Sequence, residues 1–202
     1  MSKYKTKKHY DTLIDENNDP VFDPPELKDY MNAWDGETFI KAMNLSPDKS
    51  VLEIGVGTGR LAVRVCGLCK SFTGIDYSPK TAERAIKNLS AFANAKIICD
   101  DFYRCRFMQT FDVIYSSLTF LHFRRKQTAI KTVFRLLNSN GIFLLSIDKS
   151  QNKFIDYGTR KIRVYPDQPE KIEKMLSNAG FHAIDRHETE KAVIFSAKRN
   201  QY

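Results

Sequence analysis

The chain has 202 residues, 42% of them hydrophobic, which suits one folded domain with a buried core and excludes a disordered segment. Lys and Arg outnumber Asp and Glu by 32 to 24, a formal net charge of +8, so acidic partners have to be considered. No apolar run can span a bilayer and the N-terminus has no apolar signal core, so the chain reads as soluble and cytoplasmic, without a membrane partner.

In chain order, residues 1–25 read as a flexible arm. Lys3, Lys5, Lys7 and Lys8 crowd its start, and Pro20, Pro24 and Pro25 punctuate its end. Residues 26–202 read as a single domain with its core at 50–148. From Glu26 to Asn44, helical spacing runs through Leu27, Tyr30, Met31, Trp34, Phe39, Ile40 and Met43, with a break at Asp35-Gly36. Val51-Leu-Glu-Ile is a short apolar strand that contains an acid and runs into Gly55-Val-Gly57-Thr-Gly59, a turn opening a helix. Glycines at alternate positions let the backbone turn sharply and approach a ligand, and the helix that follows aims free N–H groups at the same place.

Three more strands follow, each ending in polar residues: Phe72 to Asp76, Lys96 to Asp101 and Phe111 to Ser117. Between the first two, Ser78-Pro79 starts a helix, with Ser as N-cap. Arg125 to Leu137 is a helix ended by Asn138-Ser-Asn-Gly141, and Ile142 to Ile147 is a fifth strand. Residues 152–165 suit a lid or an extra strand, and Pro169 to Ala179 a helix stopped by Gly180. Phe181 to Arg186 and Ala192 to Ala197 suit two antiparallel strands. The pattern predicts an α/β fold: a Rossmann-like, doubly wound, mostly parallel seven-stranded sheet, finished by an antiparallel hairpin strand, with helices on both faces.

Which ligand the glycine loop suits follows from its spacing. A dinucleotide loop needs a third glycine where Arg60 stands, and a phosphate loop needs Gly-Lys-Ser/Thr where Gly59-Arg60-Leu61 stands. An acid at Glu53 would repel a pyrophosphate. What remains is Glu-x-Gly-x-Gly-x-Gly, followed by Asp76 at the distance expected of a ribose-binding carboxylate. This resembles motif I of the class I S-adenosylmethionine-dependent methyltransferases, of the small-molecule type 11/25 kind.

The resemblance covers residues 50–148 well and implies the following roles. Gly55, Gly57 and Gly59 lie beside the methionine moiety of S-adenosylmethionine, and Glu53 fixes its ammonium. Asp76 takes the ribose hydroxyls and Tyr77 lies against the adenine. Asp101 with the backbone of Phe102 meets the adenine edge, a contact Asp100 serves equally well by spacing. Ser116 faces the donor methyl, and Tyr10, Tyr30 and Trp34 are candidates for the acceptor pocket. His122, just beyond the fourth strand, resembles a histidine found there in small-molecule members and is the candidate general base, its ordinary titration being near neutral.

The fourth strand lacks the Asn/Asp-Pro-Pro-Tyr run of the members that methylate exocyclic amines of bases. The implied activity is methyl transfer to a small molecule. Alternatives are RNA methylation through basic clusters such as Arg124-Arg125-Lys126, and a non-catalytic cofactor-binding module. Cys66-x-x-Cys69, Cys99 and Cys105 lack paired-knuckle spacing and read as reduced thiols without a metal.

Overall fold

The computed structural model describes residues 2–200, with side chains from residue 5 onward. Met1, Gln201, Tyr202 and the side chain of Lys3 lie outside the described residues. The strands are β1 (Ser50–Ile54), β2 (Ser71–Asp76), β3 (Ala95–Cys99), β4 (Phe111–Ser117), β5 (Leu137–Asp148), β6 (Phe154–Asp156), β7 (Lys161–Arg163), β8 (His182–Glu188) and β9 (Ala192–Lys198). The helices are α1 (Ser2–Asp15), α2 (Pro25–Asn32), α3 (Gly36–Ala42), α4 (Ala62–Val65), α5 (Pro79–Asn88), α6 (Lys126–Leu136) and α7 (Pro169–Ser177).

Seven strands form one sheet in the order β3-β2-β1-β4-β5-β9-β8. The first five run parallel, and β9 is antiparallel to both β5 and β8. The order reverses between β1 and β4, and a crevice opens at the carboxyl edge of a doubly wound sheet at such a switch point. β1 and β4 are buried along most of their length because both faces of the sheet are covered. Leu52, Ile54, Ile114, Phe143 and Leu145 pack with α6 and α7 on one face. Val51, Phe72, Val113, Tyr115 and Leu144 pack with α3 and α4 on the other. The expected fold class is therefore the observed one.

Three local expectations are corrected. Where a flexible arm is expected, residues 2–15 form α1, because polar side chains tie it to distant segments although it has little apolar periodicity. The helix after the glycine loop is a single turn, α4, which passes into a 3-10 turn at Cys66–Leu68. Asn138 to Gly141 does not cap a helix. It is a bulge inside β5, with Asn140 at φ 62°, between the pairs Phe111–Leu137 and Val113–Ile142. Residues 152–165 hold a two-stranded ribbon, β6 and β7, separate from the main sheet. Among the described residues no helix is long and apolar enough to cross a membrane.

Candidate active site

A cleft of about 1460 Å³ opens at the carboxyl ends of β1, β2 and β4. Its floor is the loop after β1. Gly55, Gly57 and Gly59 have φ of +77°, +58° and +100°, in or near the left-handed region that an L side chain disfavours. A Cβ on Gly55 would fall 2.1 Å from Thr119 Oγ1, so that glycine is required by packing. A Cβ on Gly57 would meet nothing within 4 Å, so that glycine keeps space open in the cleft. The Gly55 N–H donates to the Ile75 carbonyl at 2.8 Å and fixes the loop to β2.

Two acids reach the cleft from neighbouring strands. Glu53 is buried and accepts a hydrogen bond from the Tyr115 hydroxyl at 2.7 Å. Burial pushes its carboxyl up to about 8, against the opposing effects of Tyr115 and the Arg60 charge. Asp76 accepts the Gly57 N–H at 3.0 Å on one oxygen and the Ser78 N–H at 2.9 Å on the other. Burial raises its pKa too, and the same hydrogen bonds oppose the rise. Both acids and the open side of Gly57 line one cleft.

Tyr77 stands exposed at the rim. Asp100 and Asp101 both line the cleft. Asp100 accepts the Asp101 N–H at 2.6 Å, and Asp101 accepts the Tyr103 N–H at 3.1 Å in a side-chain turn. The Phe102 ring is buried and stacks on Phe123, with centroids 6.0 Å apart.

Ser116 is a correction. Its hydroxyl is fully buried and donates to the Ile54 carbonyl at 2.9 Å, within the sheet. Strand alternation brings Ser117 to the cleft instead, where it donates to Asp35 at 2.7 Å. Parity with Tyr115, which pairs with Glu53, is the signal that could have found it.

Tyr10, Tyr30 and Trp34 all line the cleft. The Tyr10 hydroxyl and His122 Nε2 share a hydrogen bond of 2.7 Å. His122 is not poised near neutrality, because burial together with the His9 and Lys126 charges pushes its pKa down to about 3. Tyr30 and Trp34 meet edge to face, and Lys191 Nζ lies 4.0 Å from the Tyr30 centroid.

α1 is held on two flanks. Towards α5, Asp11 accepts the Ser78 hydroxyl at 2.7 Å and Asp15 pairs with Lys80 at 2.6 Å. Towards the β6–β7 ribbon, Arg160 pairs with Glu16 at 2.6 Å and donates to His9 Nδ1 at 2.9 Å. His9, expected on a free arm, is therefore a buried contact, its pKa lowered to about 4 by burial and by Arg160. Cys66 and Cys69 pack into the core, where burial raises their thiols to about 12 and about 11.

Residues 51–141 match a family model described as a methyltransferase domain. Phosphoethanolamine N-methyltransferase 1 of Zea mays is 30% identical over 181 residues, 80% of this chain and 34% of that protein. Malonyl-[acyl-carrier protein] O-methyltransferase of Priestia megaterium is 33% identical over 102 residues, 48% of this chain and 36% of that protein. The chain thus spans about a third of the length of these curated relatives.

Among solved structures, N-methyltransferase NodS from Bradyrhizobium japonicum WM9, in complex with S-adenosyl-L-homocysteine, superposes with a TM-score of 0.75 at 15% identity, covering 100% of both chains. The [4+2]-cyclase SpnF superposes at 0.76 with 16% identity, covering 100% of this chain and 98% of that one. Residues 51–141, on this seven-stranded sheet, thus match the methyltransferase-domain family, and the chain has the Rossmann-like methyltransferase fold.

Proposed function

We propose that the chain transfers a methyl group from S-adenosylmethionine to a small, acidic acceptor. The observation that carries this reading is the convergence of Glu53 and Asp76 on one cleft, with the open side of Gly57 in it. The residues fit the donor. Glu53 would hold its ammonium and Asp76 its ribose hydroxyls, while Gly55, Gly57 and Gly59 admit the chain between them. Tyr77 would cover the adenine, and Asp100 or Asp101, with the Phe102 backbone, would meet its edge. When bound, the donor supplies a cationic sulfonium whose methyl is already electrophilic.

What the protein then has to do is orient the acceptor and exclude water, and orientation of this kind is worth about 7–11 kcal/mol of barrier. α1 is strapped across the cleft and serves the second task. Tyr10, Tyr30 and Trp34 would line the acceptor side. The Tyr10–His122 hydrogen bond fixes the phenol on the acceptor side of the cleft, where its oxygen can orient the acceptor by hydrogen bonding. This replaces a role for His122 as an independent base, which its low pKa opposes.

The acceptors in the two relatives' names, phosphoethanolamine and malonyl-[acyl-carrier protein], support an acidic acceptor. Arg124 and Arg125 on the cleft wall suit one. Several basic side chains that could serve RNA are instead paired within the fold, as Lys126 is with Asp167 and Arg160 with Glu16. We further infer that residues 26–202 act as one domain closed by α1. The four unpaired thiols support a reducing, cytoplasmic setting.

Because a cyclase shares this fold, transfer itself has to be measured. The test supplies donor labelled in its methyl group, with phosphoethanolamine, a malonyl thioester and RNA as separate acceptors. Label in a small acid is expected. Label in RNA alone would overturn the acceptor assignment, and donor binding without transfer to any acceptor would favour a non-catalytic module.

A further inference from the structure

Leu27, Tyr30, Met31 and Trp34 recur at helical spacing along α2 and the turn that follows it, and all of them line the cleft. No residue of α2 is buried, and Tyr30 is half exposed, so this face is not part of the core. The Tyr30 and Trp34 rings meet at 71° with centroids 5.2 Å apart, which makes an aromatic corner on the cleft wall.

A cation of the chain itself sits in that corner. Lys191 Nζ lies 4.0 Å from the Tyr30 centroid and 5.0 Å from that of Trp34. Its neighbour in the turn, Glu188, pairs with Lys149 and Arg186 instead. The Lys191 backbone is fixed where the β8–β9 turn docks on the end of α2: the Thr189 hydroxyl and the Lys191 N–H both donate to the Ala33 carbonyl. The turn is therefore anchored, while the long, flexible side chain rests its charge on the rings. Ring faces attract a positive charge without meeting its hydrogen bonds, so they suit an alkylated ammonium better than the strongly hydrated ammonium of a lysine. A second observation points to a ligand. Trp34 Nε1–H is shut off from solvent and meets no acceptor among the described residues, an unmet donor that a ligand oxygen would satisfy.

We propose that the Tyr30–Trp34 corner is a subsite for an organic ammonium, and that the Lys191 side chain holds its place until a ligand displaces it. This rests on the acceptor side described under the proposed function and deepens it. An acid at Arg124 and Arg125, joined to an ammonium at the rings of the same cleft, makes the acceptor a zwitterion: an amine that carries an acidic group.

The experiment titrates tetramethylammonium into the full chain, against sodium at equal ionic strength, and follows the emission of Trp34, the single tryptophan. The wild type should show a saturable change that tert-butanol, a neutral molecule of similar shape, does not produce. Lys191→Met keeps the apolar stem and removes the competing charge, so it should bind the cation about three- to tenfold more tightly, the range of one cation–ring contact. Tyr30→Ala should weaken binding by a similar factor. Equal affinities in the wild type and Lys191→Met overturn the proposal, and so does a response to tert-butanol equal to that for the cation. If Lys191→Met does not fold, the two probes compared in the wild type decide alone. S-adenosylhomocysteine is titrated separately by calorimetry. A wild type that binds it, with no Trp34 response to the cation, overturns the ammonium subsite and keeps the donor reading. A wild type that responds to the cation without binding S-adenosylhomocysteine keeps the subsite and overturns the donor reading.

Discussion

The glycine loop is fixed by backbone geometry, whereas α1, which closes over the same cleft, is fixed by side-chain pairs with α5 and with the β6–β7 ribbon. The loop continues directly from a central strand whose neighbours are buried on both faces, so moving it disturbs the core. α1 rests largely on polar contacts, several of them exposed, each worth about 1 kcal/mol or less. The proposed function asks for both: a rigid floor that would present the donor, and a roof whose weaker contacts would let ligands pass.

The sharpest way to break this contrast is within the floor. Gly55→Ala places a methyl against Thr119 in a left-handed backbone and should cost about 2–5 kcal/mol of stability in thermal unfolding. Gly57→Ala, with open space around its Cβ, should cost about 1–2 kcal/mol and instead weaken donor binding, read by calorimetry. Equal effects of the two would contradict the division between a packing glycine and a ligand glycine.

The next largest effect is on pH dependence. Glu53 ionises near 8 in the folded chain and in the ordinary carboxyl range, near 4.5, when unfolded. The native state therefore holds a proton that the unfolded state has lost, and the Glu53 contribution falls as pH rises from about 4.5 to about 8. Glu53→Gln should flatten that slope in denaturant titrations at a series of pH values. By the same linkage, a donor ammonium should ionise Glu53 on binding, so calorimetry at pH 7 in buffers of different ionisation enthalpy should detect proton release.

Smaller changes belong to the roof. Tyr10→Phe removes the hydrogen bond that fixes the ring against His122 and should lower kcat by about tenfold, with donor affinity unchanged. Lys80→Ala, which removes an exposed pair with Asp15, should change stability by no more than about 0.5 kcal/mol.

The same contrast explains what could be read in advance. Gly55, Gly57, Gly59, Glu53 and Asp76 were legible because backbone conformation and strand endings leave a local mark on sequence. The doubly wound sheet was legible through its apolar runs. Asp35, its grip on Arg60, and the Arg160 contacts with His9 and Glu16 were not, because their partners lie far apart along the chain. α1 was missed because its mixed polar surface lacks the apolar stripe that marks a packed helix. The Ser116 assignment was one residue off, on a strand where alternation decides which hydroxyl reaches the cleft.

The most direct measurement is a calorimetric titration of S-adenosylhomocysteine into the wild type and into Asp76→Ala. Saturable binding by the wild type, weakened roughly tenfold to a hundredfold in the variant, is the predicted result. Absence of binding by the wild type, or identical affinities for the two chains, would contradict the assignment of this cleft to an adenosyl donor.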